Sequence, residues 1–153
     1  MSAALPYAAV GASLLAARQA SAIGSFNQAV AERNATIAEQ EAEAQKKLTT
    51  YNLNKFNQSF EKLQSRTRVS LLKSGVELSG TALKILQSNA EQAELQRNVI
   101  EYNGQVAEAK KLEEATFSRI SGTLAKRQAN LQALGYISQA GTSLLNMKQV
   151  GII

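Results

Sequence analysis

The sequence predicts an all-α fold: a long antiparallel helical hairpin, coiled-coil-like, with helical N- and C-terminal extensions, packed into a ring or tube of copies. Three observations carry this expectation. Apolar residues recur mostly at three- and four-residue spacing through 25–74 and again through 82–130. The sole proline is Pro6, so nothing beyond the start of the chain interrupts a helix. Between the two stretches lies Gly75-Val76-Glu77-Leu78-Ser79-Gly80-Thr81, where two glycines break an otherwise helix-favouring sequence.

That break is read as a corner over 75–81. Gly75 is expected to take the left-handed conformation that closes the first helix, and the Thr81 hydroxyl to cap the second. Val69, Leu71, Leu72, Val76, Leu78, Leu83, Ile85 and Leu86 crowd the corner and are expected to lock the helices where they meet.

In the first arm, Val30, Ile37, Ala44 and Tyr51 repeat at seven, and Leu48, Phe56, Phe60, Leu63 and Thr67 carry the stripe to the corner. This seam is thin, because alanines fill it between Ile37 and Leu48. The second arm offers Leu83, Leu86, Ala90, Ala93, Leu95, Val99, Tyr102, Val106, Ala109, Leu112, Phe117, Ile120 and Leu124 as its partner stripe. Gly104 and Gly122 each cost up to about 1 kcal/mol inside a helix. They mark either close contacts or weak points, and the sequence leaves both open.

The arms are nearly equal in length, so they end together. That brings 1–24 and 131–153 to one tip, both small-residued, apolar and almost uncharged. The whole of 1–153 reads as a single helical domain. With only 5% aromatic residues and no Trp, one hairpin has too little core for its length, which is why copies are expected to pack side by side.

Composition also excludes chemistry. The chain has no His and no Cys, and all 12 acidic residues are Glu. Triads, thiolate nucleophiles and transition-metal clusters cannot be assembled from it, and no glycine-rich phosphate loop is present. No catalytic residue, cofactor, metal or small-molecule substrate is expected. The reading is of a protein that is not an enzyme.

The net charge of +5 is uneven. Lys46, Lys47, Lys55, Lys62, Arg66, Arg68 and Lys73 stand against Glu61 alone in 46–74. Such a run meets nucleic-acid phosphates, a neighbour's acidic surface or only solvent, and it lacks interleaved stacking aromatics. At the tips, 3–17 is uncharged but shorter than the roughly 20 residues that span a bilayer. Arg18 follows rather than precedes this apolar run, so no signal peptide is assigned. In a ring, a helix turns its polar stripe to a lumen and its apolar side chains to lipid or to a portal. Leu14, Leu15, Tyr136, Ile137, Leu144 and Leu145 are the candidate contacts there.

Several of these segments occur together in one known family. An Ala/Gly-rich start runs into the Asn27–Gln45 helix, then a basic stretch, then Gly75-Val76-Glu77-Leu78-Ser79-Gly80-Thr81 followed by Leu83-Lys84-Ile85-Leu86. Further on come Glu91, Glu94, Tyr102-Asn103 and the ending Ala140-Gly141-Thr142-Ser143-Leu144-Leu145. In these features the chain resembles the small internal virion proteins, also called ejection or internal core proteins, of short-tailed bacteriophages. It departs from them at Ala82, where Pro often stands, and at Arg68–Lys73 before the corner. The resemblance implies a virion protein stored inside the capsid near the portal, exported with the DNA and assembled in the host envelope as part of a conduit. The partners it implies are other phage core or portal proteins and the host membrane.

Overall fold

The computed structural model describes residues 4–75 and 80–149. Two helices account for nearly all of them, α1 (Ala4–Lys73) and α2 (Thr81–Gln149), packed against each other as a hairpin. Neither helix breaks near 24 or 130, so the terminal segments are continuations of the arms. Of the residues read as the corner, 76–79, with Val76 and Leu78 among them, lie outside the described residues, as do 1–3 and 150–153 of the terminal segments.

The corner closes as local chemistry requires. Gly75 has φ +73°, and its N–H donates to the Leu72 carbonyl at 3.2 Å, while the Ser74 N–H and Oγ donate to the Ser70 and Leu71 carbonyls at 3.1 and 2.8 Å. These bonds satisfy carbonyls that the end of α1 leaves unpaired. Lys73 adds a cation to the last turn, where the helix dipole favours one. The start of α2 differs from the expected cap: Gly80, at φ +59°, precedes the helix and its carbonyl accepts the Lys84 N–H at 3.2 Å. Thr81 is already inside α2. Glycine is a tolerated cap residue and takes this left-handed φ without a Cβ penalty.

The chain forms two compact units, Met1–Ile37 with Glu114–Ile153, and Ala38–Glu113. In the first, the residues turned inward between the helices are Ala17, Gly24, Gln28, Ala31 and Ala35 on α1, and Ala115, Ser118, Gly122, Ala125 and Ala129 on α2. They recur at seven: 17-24-31 and 28-35 on one helix, 115-122-129 and 118-125 on the other. In the second unit the inward residues recur at eleven, as 42-53-64, 45-56-67 and 49-60-71 on α1, and 82-93-104 and 89-100-111 on α2. A repeat of seven suits helices that wrap left-handed, and one of eleven suits a straight or right-handed wrap.

The fully buried part of the seam is therefore made mostly of small residues; of the expected stripe, Phe56, Phe60, Thr67, Leu86 and Ala93 do face inward, and most of its other large members do not. Ala35, Ala38, Ala42, Ala82, Ala93 and Ala115 are buried, and Leu86 is the one large side chain among the buried residues. Val30, Ile37, Leu48, Tyr51, Leu63, Leu83, Leu95, Val99, Tyr102, Leu112, Phe117, Ile120 and Leu124 are exposed. At the corner, Val69, Leu72, Leu83 and Ile85 are exposed too, leaving Leu71 half-buried and Ala82 and Leu86 buried. The physical reason is closeness of approach. A Cβ added at Gly24 would run into Ala129 and stand 3.4 Å from the Lys126 Cα; one at Gly122 would meet the Ala31 Cβ at 2.5 Å; one at Gly104 would overlap the Thr49 side chain. At these approaches only Gly, Ala or Thr fits between the backbones, and many of the larger side chains are turned out. Gly104 and Gly122 thus mark close contacts.

This seam predicts opposite effects for one substitution at two glycines of the same helix. Gly122→Ala lowers stability by about 1–3 kcal/mol through overpacking, although alanine is the better helix former. Gly135 has nothing within 4 Å of an added Cβ, so Gly135→Ala raises stability by up to about 1 kcal/mol. Urea unfolding of the two variants measures both signs.

Candidate interaction surfaces

All seven basic residues singled out in the sequence are exposed on α1. Helical geometry sorts them. Lys55, Lys62, Arg66 and Lys73 are spaced seven, four and seven apart, near multiples of the 3.6-residue turn, so they share one line on the side of α1 away from the seam. That line runs for about 27 Å at 1.5 Å per residue. Lys46 and Arg68 lie off it, each one residue beyond a seam position, Gln45 and Thr67. Lys47 is bound to its own helix: its Nζ stands 2.7 Å from Glu43 Oε1, one turn back. This contact holds the Glu43 carboxyl below the ordinary range, first through the hydrogen bond and then through the charge of Lys47.

The terminal candidates divide. Leu14 and Leu15 on α1 and Ile137 on α2 line one open groove in the first unit, together with Gly11, Ala17 and Ala133. Leu144 and Leu145 are exposed farther along α2, and Tyr136 is the least exposed of the six at 39%. Among the described residues no helix is long and apolar enough to cross a membrane. In the corner, Gly75 and Gly80 shape the turn and Thr81 opens α2.

Three features escaped the sequence reading. Ion pairs join the helices, among them Arg119 Nε to Glu32 Oε1 at 3.1 Å in the first unit and Lys111 Nζ to Glu41 Oε2 at 2.7 Å in the second. Their members lie far apart in the chain, so only a known register reveals them. In the second unit the seam opens into a groove lined by Phe56, Phe60, Leu63 and Ala93 with Asn89, Gln92 and Gln96 beside them. Third, six large apolar residues of the first unit form two rows on one side of the helix pair. Ile23 and Val30 each precede a seam residue, Gly24 and Ala31, and Ile37 follows at the same interval; Phe117, Leu124 and Leu131 each stand two residues after Ala115, Gly122 and Ala129. In an antiparallel pair, one step back on one helix and two steps forward on the other turn to the same side. Glu32 and Arg119, each one residue after a seam position, meet on the opposite side.

Comparison of the chain with protein families, with curated proteins and with solved structures gives no match.

The Glu43–Lys47 pair has a defined pH signature. A carboxyl held below its ordinary range stabilises the helix above that range, and the contribution is lost as pH falls through the lowered value. Carboxyl-detected NMR titration should place Glu43 below the ordinary carboxyl range, and Lys47→Ala should return it toward that range.

Proposed function

We propose that this chain is a structural protein of the internal core of a short-tailed bacteriophage virion, located near the portal and ejected to help form a conduit through the host envelope for DNA delivery. The observation that carries the reading is the excess of exposed surface. The chain exposes 11430 Å², where a compact monomer of 16.4 kDa exposes about 7,500 Å² by the usual size scaling. Leu, Ile, Val and Phe side chains make up much of the excess, which is the character of a subunit that completes its core against neighbours. The sequence resemblance supplies the setting, and copies packed side by side into a ring or tube supply the neighbours.

In this reading the terminal ends of the helices are the membrane-active or portal-facing end. A helix in a ring needs only one lipid-facing stripe, so mean hydropathy below that of an isolated span is compatible with insertion. Leakage of dye from anionic liposomes tests the role on the full-length chain. Leu15→Lys with Leu145→Lys should abolish leakage that the unaltered chain produces. Equal leakage from both removes the membrane role.

A second reading, a nucleic-acid-binding coiled-coil protein, is favoured by one observation, the single line formed by Lys55, Lys62, Arg66 and Lys73. Four phosphates contacted together give a slope of roughly −3.6 for log affinity against log salt. For a core protein whose contact with DNA is incidental, binding to duplex DNA is weak, blind to sequence and gone at physiological salt, and fluorescence anisotropy across a salt series separates the two.

A further inference from the structure

The first unit has two unlike sides. One carries Ile23, Val30 and Ile37 from α1 and Phe117, Leu124 and Leu131 from α2, between 42% and 71% exposed. Between these two rows lie Asn27, Asn34, Ser121 and Gln128, which are uncharged, with Glu114 at one end. The other side carries the Glu32–Arg119 ion pair and Lys126, flanked by Ala22, Ala29, Thr36, Thr116, Thr123 and Asn130, with Leu15 and Ile137 continuing those two flanking rows toward the termini. The antiparallel register sets the rows against one another, because Gly24 packs on Lys126 and Ala129, and Ala31 on Gly122. Ile23 is thereby level with Leu131, Val30 with Leu124, and Ile37 with Phe117.

We propose that the occupant of this apolar side is the same side of a second copy of the chain, giving a face-to-face pair through the first unit. The inference rests on the reading that copies assemble, and it names the face and the symmetry. Three observations select a second copy. The rows keep the seven-residue repeat of the unit's own seam, so a helix pair of the same repeat stays in register with them along their length. The floor between them is almost free of charge, so pairing the face with itself buries little charge and brings no like charges together near the two-fold axis. The area is also of the right size: six large side chains about half exposed offer on the order of 600 Å² per copy, and the polar floor brings the contact near the ~800 Å² per partner of a stable interface. Over 22–36 and 116–130 the opposite side is small and polar, so along the length of the apolar rows it offers them no complement, although Leu15 and Ile137 continue its rows toward the termini. A ring or tube then has the pair as its repeating unit.

Sedimentation velocity on the full-length chain from submicromolar to tens of micromolar tests the face. Val30→Glu with Leu124→Glu should leave a helical monomer by circular dichroism, while Thr36→Glu with Thr123→Glu, on the polar side, should associate as the unaltered chain does. If the charged variant unfolds, Val30→Ala with Leu124→Ala carries the test, and its dissociation constant should rise at least tenfold above that of Thr36→Ala with Thr123→Ala. Association unchanged by substitutions on the apolar side overturns the proposed face and leaves assembly standing. An unaltered chain that is monomeric at tens of micromolar overturns the pair and the assembly reading together.

Discussion

The close approach of two helix backbones is the constraint from which the rest of this structure follows. At Gly24, Gly104 and Gly122 there is no room for a Cβ, and the fully buried positions around them are mostly alanines. That single requirement decides the composition of both inward faces. It also decides what cannot stand at those approaches: a Leu or Phe there would drive the helices apart, and the large inward residues Phe56 and Phe60 lie instead where the seam opens into a groove. Thr49 shows the limit. Its branched side chain is accommodated opposite a glycine, with its hydroxyl donating to the Gln45 carbonyl one turn back at 2.9 Å.

A seam of methyl groups holds the helices at a defined register but removes little apolar surface from water per residue. The contribution from polar contacts between the helices is small as well. The Glu32–Arg119 and Glu41–Lys111 pairs are largely exposed, and pairs of that kind contribute about 0–1 kcal/mol each. What they do supply is register, since each lies beside the seam and matches only when the small residues are aligned. The chain thus separates two tasks that a globular core performs together. Small residues specify how the chain folds on itself, and large ones are left to specify what it meets.

This division explains which parts of the structure were legible in the sequence. Two helices, their antiparallel sense and the corner at Gly75 followed from the missing prolines and the paired glycines, because backbone conformation is dictated locally. The period of the seam in α1 was also legible: Val30, Ile37 and Ala44 repeat at seven, and so do the true seam residues Ala31, Ala38 and Gln45. Only the phase was misread, by one residue, or about 100° around the helix. Hydrophobic patterning assumes that the largest apolar residues point inward, and that assumption fails when closeness rather than volume sets the contact. The change to a repeat of eleven in the second unit was hidden for the same reason, since Gln45, Thr49 and Gln64 are not apolar. The basic line was visible as a charge run, although its alignment needed the helix to be continuous through it.

The exposed rows have a calorimetric consequence. The heat-capacity change of unfolding reflects apolar surface newly hydrated, and a chain whose folded state leaves its large side chains wet has little left to hydrate. The stability curve of an isolated copy is accordingly shallow, with little tendency toward cold denaturation and a weak response to urea. In the proposed assembly the missing heat capacity would be restored, so temperature would act mainly on the contacts between copies. Warming toward the temperature where hydrophobic association is strongest would tighten them while scarcely changing the hairpin within each copy.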